Sequence, residues 1–253
     1  MPLVLIEKQN PKVNIITLNR PDRRNALTLE LMNELIAAIR VCSDEPAERV
    51  LILRGAGEAF CAGLDLKSAT PQNAHATAEM VAKTLLALSQ SRLVTIAAVH
   101  GAAVAGGAGI MSACDFVVAA EGTKIGYPEV RRGLVAGLVM TFLRRQVRER
   151  DIRELLLSSE LIEAARAKEI GLVNRVVAKD KVMDEAHRFA ESVLQGAPGA
   201  LEQTKKLLEE MWSSSVKEDI DLALQYHMRA RESVEAREGI AAFNAKRRPN
   251  WAN

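Results

Sequence analysis

The sequence predicts an α/β protein with a parallel sheet at its centre and an all-helical segment at its C-terminal end. Three observations carry this. β-Branched and aliphatic runs alternate with helical periodicities through the first two thirds of the chain. After Asp180 only helical patterns remain. The 253 residues are 48% hydrophobic and 26% charged, an ordinary globular composition, and at roughly 150 residues per domain they make one large domain or a domain with an appendage.

In chain order, Val13 to Leu18 reads as a strand, followed by a polar loop with a proline, Asn19-Arg-Pro-Asp-Arg-Arg-Asn25. Thr28 is placed to cap a helix in which Leu31, Met32, Leu35, Ile36 and Ile39 keep a 3.6-residue period. Val50 to Leu53 is a short buried strand ending at Gly55. A loop of small residues runs to Leu66, and Val81, Leu85 and Leu88 mark the next helix. Leu93 to Cys114 carries no charge and is long enough in principle to cross a bilayer. Its β-branched run ends at Gly101 and is followed by small residues at helical spacing, so it reads as strand, turn and packed helix rather than a membrane span. Phe116 to Val118 is a further strand. Residues 181–195, 198–212, 216–233 and 235–243 are helix candidates. The break at Gly196-Ala-Pro-Gly199 divides a core, 1–196, from a helical region, 197–253, whose apolar faces need a partner.

Charge excludes several classes of partner. Lys and Arg total 34 against 32 Asp and Glu, with none of the concentrated basic excess that nucleic-acid binding uses. Cys42, Cys61 and Cys114 form no paired motif and read as reduced thiols of a cytoplasmic protein. The first residues lack a basic segment followed by a long apolar run, so no secretory signal is expected. No spacing suggests metal ligands.

Two glycine motifs fail on inspection. Gly55-Ala-Gly-Glu-Ala-Phe60 follows a strand but has Phe where the dinucleotide fingerprint needs its third glycine. Gly101 to Ala108 has phosphate-loop spacing, but Gly107 and Ala108 replace the lysine and the hydroxyl residue. What survives is a pair of loops, around Cys61 to Asp65 and around Gly106 to Gly107, made of residues with little side chain. They either permit tight strand–helix packing, or they present free backbone N–H groups, the second at a helix start, that converge on a developing oxyanion.

Asn19-Arg-Pro-Asp-Arg-Arg-Asn-Ala-Leu27, Ala59-Phe-Cys-Ala-Gly-Leu-Asp-Leu66, Ala98-Val-His-Gly-Ala-Ala-Val-Ala-Gly-Gly107, Ala113-Cys-Asp115, Gly126-Tyr-Pro-Glu129 and the ending Ala242 to Trp251 stand in the order and spacing of the enoyl-CoA hydratase/isomerase (crotonase) family, which the chain resembles along its whole length. The resemblance implies a spiral of repeated ββα units with a C-terminal helical trimerisation region, in a homotrimer or a dimer of trimers. It implies an acyl-CoA substrate and no separate cofactor, coenzyme A being part of the substrate. It assigns the oxyanion donors to the N–H groups of Leu64 and Gly106, with Gly107 adjacent, and the coenzyme A site to the backbone of Arg24, Asn25, Ala26, Ala62, Gly63, Asp65 and Leu66. Phe243 and Lys246 match tail positions that reach a neighbouring subunit's coenzyme A, or else form a packed ring and a solvated tail.

Proton transfer at carbon needs an ionisable group within reach of the substrate. Glu129, after Pro128, stands where the family keeps a catalytic glutamate, and a site beside an apolar chain should raise its pKa towards neutrality. Hydratases of the family carry a second glutamate where this chain has Gly109. One carboxylate favours moving a double bond, or hydration of an atypical kind, over hydration by a carboxylate pair. A catalytically impaired acyl-CoA-binding protein and another family reaction, such as thioester hydrolysis, stay open. Asp115 reads as structural, Asp65 as a loop-positioning residue, His100 as a hydrogen-bonded core residue and Cys61 as unreactive. The arginines from Arg144 to Arg153, interleaved with acids, read as a solvated helix face. The acyl group is left unspecified, because its walls come partly from residues 66–80.

Overall fold

The computed structural model describes residues 1–68 and 71–252; Ala69 and Thr70, within the stretch expected to wall the acyl group, lie outside the described residues. In chain order the elements are β1 (Val4–Asn10), β2 (Val13–Leu18), α1 (Leu29–Asp44), β3 (Val50–Gly55), α2 (Ala74–Ser89), β4 (Val94–Val99), β5 (Ala102–Val104), α3 (Gly106–Ser112), β6 (Phe116–Ala120), β7 (Lys124–Gly126), α4 (Gly137–Gln146), α5 (Glu149–Arg153), β8 (Ile162–Glu163), α6 (Ala164–Glu169), β9 (Arg175–Val177), α7 (Val182–Leu194), α8 (Pro198–Glu210), α9 (Val216–Arg231) and α10 (Val234–Asn244).

A six-stranded sheet, ordered β1-β2-β3-β4-β6-β9, is parallel except for the β1–β2 hairpin. The sequence reading missed β1, whose residues after Val4 are mostly exposed and lack a buried run. The parallel strands are apolar on both faces because both faces are covered. Ile16, Leu18, Leu51, Leu53, Ala97 and Val99 pack under α1 to α4, while Ile15, Ile52, Ile96 and Val118 pack under α7. Thr28 caps α1, its Oγ1 accepting from Leu31 N–H at 3.2 Å.

The spiral comes from a second, smaller sheet, β5-β7-β8. Each pass of the chain lays one strand in the large sheet, makes one strand or bridge beside the small sheet, and returns through a helix. β4, β5 and α3 do so, as do β6, β7 and α4; earlier passes use the isolated bridges Leu27–Leu64 and Cys61–Ala103 instead of strands. The uncharged stretch 93–114 therefore holds β4, β5 and α3, and no described helix is long and apolar enough to cross a membrane.

The four helices expected after Asp180 form within two residues of their predicted limits, and Pro198 opens α8, where its missing N–H costs nothing. α9 lies against α2 and α4, and α10 against the turn at 128–132. Arg145 departs from the expected solvated arginine face. Its guanidinium donates to Glu209 at 2.6 Å and Asp219 at 3.2 Å and stacks on Trp212, clamping α4 to α8 and α9.

Candidate active site

The passes converge on one cavity of about 110 Å³. Its floor is the junction of the two small-residue loops. Cys61 N–H donates to Ala102 O and Val104 N–H to Cys61 O, both at 3.1 Å, so the loops are joined by main chain. A side chain at Gly107 is impossible without parting them, since its Cβ would stand 2.2 Å from Cys61 O. Gly63 turns at φ +86°, and Ala105, just before α3, sits at φ +50°, a conformation that costs a residue bearing a Cβ on the order of 1–3 kcal/mol.

That junction decides which amides stay free. At the Leu27–Leu64 bridge, Leu27 N–H donates to Gly63 O at 2.8 Å and Asp65 N–H to Leu27 O at 2.9 Å; this pattern uses the groups on either side of Leu64 and leaves its own N–H out of the pairing. Gly106 opens α3, whose first internal bond runs from Gly109 N–H to Ala105 O, so the Gly106 N–H lies in the turn a helix cannot satisfy itself. A Cβ built on Gly106 would lie 3.9 Å from the Leu64 nitrogen. Leu64 and Gly106 both line the cavity, as do Ala62 and Leu66.

Glu129 lines the same cavity from a 3₁₀ turn, Pro128–Arg132, at the end of β7. Its Oε2 is enclosed and has no hydrogen-bond partner among the described residues. Burial pushes the carboxyl pKa up to about 7, against the opposing pull of its own backbone N–H and of the Arg132 guanidinium. It is the one carboxylate among the described lining residues.

The other expected site residues sit around the cavity. Arg24, Asn25 and Ala26 lie beside its wall. The Asn25 side chain is fully engaged, its amide donating to Ala56 O and Ala59 O and its Oδ1 accepting from Arg20 N–H, and its own N–H donates to Arg20 O, so it holds the loop together. Asp65 is held at 2.8 Å by Arg20, which also donates to Ala26 O, latching loop 19–27 to loop 61–66. Phe243 faces its own chain's cavity, where the Arg132 guanidinium lies 4.3 Å from its ring centre. Lys246 follows α10 at φ +54°, exposed.

The remaining candidates resolve physically. Asp115 accepts from Thr95 N–H, Thr95 Oγ1 and Lys205 Nζ, a structural tie. His100 is not a core residue: it lies towards solvent, bonded to Gly57 O at 2.9 Å. Cys61 is buried, its thiol donates to Asn25 O, and burial pushes its pKa up to about 12. Gly109 is closely packed, a Cβ there falling 2.5 Å from Val139 Cγ1, so a long side chain has no room.

Sequence reading missed Arg132, His227 and Arg231, which bring positive charge and an imidazole to the wall. A signal was present: Ile220, Leu224, His227 and Arg231 share one face of α9, so two polar residues continue an apolar stripe.

A family model for enoyl-CoA hydratase/isomerase matches residues 8–253. The chain is 35% identical to mevalonyl-coenzyme A hydratase sidH of Aspergillus fumigatus, over 98% of this chain and 94% of that protein. It is 34% identical to enoyl-CoA hydratase EchA19 of Mycobacterium tuberculosis, over 100% and 97%. The crystal structure of an enoyl-CoA hydratase from Mycobacterium avium superposes with a TM-score of 0.86 at 33% identity, covering 99% of both chains. With its crotonase fold and a match over nearly its whole length, this chain belongs to the enoyl-CoA hydratase/isomerase family and is an enzyme of that type.

Proposed function

We propose that the enzyme moves a double bond in an enoyl-CoA thioester with a single carboxylate. The thioester oxygen sits between the N–H groups of Leu64 and Gly106, and coenzyme A runs along the backbone of residues 24–26 and 62–66. Glu129 takes a proton from the carbon chain, the electron pair of the broken C–H bond passes into an enolate held by the two amides, and the proton returns at the other end of the shifted double bond. The observation that carries this reading is the enclosed, unpartnered Glu129 Oε2 on the same cavity as the two amides. A carboxyl with a pKa of about 7 is suited to accept and return a proton in one turnover.

Gly109 supports isomerisation over hydration, because Val139 occupies the space a second carboxylate would need. Hydration is the second reading, favoured by the names of the relatives. Crotonyl-CoA and a 3-enoyl-CoA, each followed spectrophotometrically, separate them. Isomerisation predicts turnover of the 3-enoyl thioester alone, and Glu129→Gln should abolish it. Binding without turnover of any thioester would instead mark an impaired binding protein, and release of free coenzyme A a hydrolase.

The assembly proposed is a homotrimer or a dimer of trimers in the cytoplasm. Leu207 and Leu208 on α8, Met211 and Trp212 just beyond it, and Leu222 and Tyr226 on α9 leave apolar surface on the single chain, which supports a covering subunit.

A further inference from the structure

His227 sits on the α9 wall of the cavity, which Ala78, Val81 and Val139 also line. Its Nδ1 lies 3.2 Å from Val135 O. A carbonyl oxygen only accepts, so Nδ1 carries the hydrogen and Nε2 of the neutral ring offers a lone pair. Burial holds the imidazole below its ordinary pKa, and the nearby Arg231 charge acts in the same direction. Nε2 makes no hydrogen bond among the described residues and is not one of the enclosed atoms, which leaves it an accessible acceptor on a residue that lines the cavity.

We propose that His227 Nε2 accepts a hydrogen bond from a hydroxyl on the acyl chain, making hydroxylated acyl thioesters the preferred ligands of this cavity. The proposal rests on the reading that the cavity holds an acyl chain. A plain hydrocarbon tail would strip water from Nε2 and give nothing back, a loss of about 1–3 kcal/mol for a buried acceptor. A hydroxyl donates to Nε2 and so replaces the water that the ring gives up. A carboxylate has no hydrogen to donate to Nε2.

The test is binding, so that it does not depend on turnover. Short saturated acyl-CoA thioesters, each paired with its ω-hydroxy counterpart, are titrated calorimetrically into the intact protein. For the pair whose hydroxyl reaches Nε2, the hydroxylated member should bind roughly tenfold tighter. His227→Leu should erase that ratio, and His227→Gln, whose amide oxygen can accept near the position of Nε2, should restore part of it. A wild-type ratio near one across all pairs overturns the proposal, as does a ratio that survives His227→Leu. If no thioester of any pair binds, the acyl-CoA reading fails and this inference fails with it. Binding of both members with equal affinity sinks the hydroxyl preference alone.

Discussion

The cavity has two walls, made by different means. One is the set of turns leaving the two sheets, at 61–66, 104–107 and 128–132, and its shape is fixed by main-chain bonds and by positions where a side chain cannot fit. The other is made of side chains on α2, α4, α9 and α10, where Val81, Val139, His227, Arg231 and Phe243 meet the same space. In the first wall an amide is aimed by the fold itself, so almost any local change disturbs the whole. In the second, one side chain can change without refolding anything. On the proposed mechanism, a protein built this way keeps its chemistry in the backbone wall and can vary its selectivity in the helical wall.

The backbone wall holds the one side chain on which the proposed chemistry depends, and its removal should give the largest effect. Glu129→Gln is expected to lower kcat by about a thousandfold, within the range for a positioned general base. In the wild type the rate should rise with pH to a midpoint near pH 7, because the proton-accepting form is the carboxylate. The stability sign runs the other way. A carboxyl whose pKa is raised on folding binds its proton more tightly in the native state, so stability falls as pH climbs from about 4.5 to about 7, by a few kcal/mol at most. The melting temperature of Glu129→Gln should therefore gain on that of the wild type across this interval. If the glutamine variant keeps a tenth of the turnover, the amides alone suffice and the carboxylate is misassigned.

Gly107→Ala attacks the same wall through its frame. The added methyl would meet Cys61 O at 2.2 Å, a backbone atom, where no flexible side chain can yield. A loss of about 3 kcal/mol is expected, in the range of severe packing and strain defects, together with a fall in kcat as the Leu64 and Gly106 amides separate. Urea unfolding and steady-state kinetics on one preparation would check both; a stable variant with normal kcat would show that the loops are not mechanically coupled.

The two walls also differ in how far the sequence betrays them. Motif order singled out Leu64, Gly106 and Glu129, which line one cavity, and the free state of the two amides follows from bridges that small residues permit. The four central strands of the large sheet were legible because, buried on both faces, they are written as mainly apolar runs; its edge strands β1 and β9, mostly exposed or half-buried, were not. The small sheet was not: β5, β7 and β8 are only two or three residues each, and an isolated bridge such as Cys61–Ala103 has no periodicity at all. The helical wall was hidden differently. The helices after Asp180 were each placed, but a helix pattern does not say what its face touches, so His227 and Arg231 passed as part of an oligomerising tail. Arg145 escaped for the same reason, its partners lying on α8 and α9, more than sixty residues away.

Gly109 lies where the walls meet, and it gives a smaller and more local test. Its Cβ would press on Val139 Cγ1, the end of a side chain rather than backbone, so part of the clash can relax. Gly109→Ala should cost about 1–2 kcal/mol, and combining it with Val139→Ala should recover part of that loss, a positive coupling in a double-mutant cycle. Strict additivity would mean that the contact is not what keeps a side chain out of position 109.

The smallest effect is expected at Phe243, where the walls touch without being joined. The ring stacks on Arg132, a residue of the Glu129 turn, but it is 49% exposed in the single chain, and a cation–π contact at such a site is worth about 0.5–1 kcal/mol. Phe243→Leu keeps most of the apolar surface and removes the ring face. If the helical wall only selects, the variant should raise KM by roughly two- to fivefold and leave kcat and the pH midpoint in place. A displaced midpoint would mean something else, because the Arg132 charge is one of the influences holding down the Glu129 pKa. Loosening the guanidinium from the ring would then have reached the reacting carboxyl, and α10 would belong to the catalytic wall as well as to the selective one.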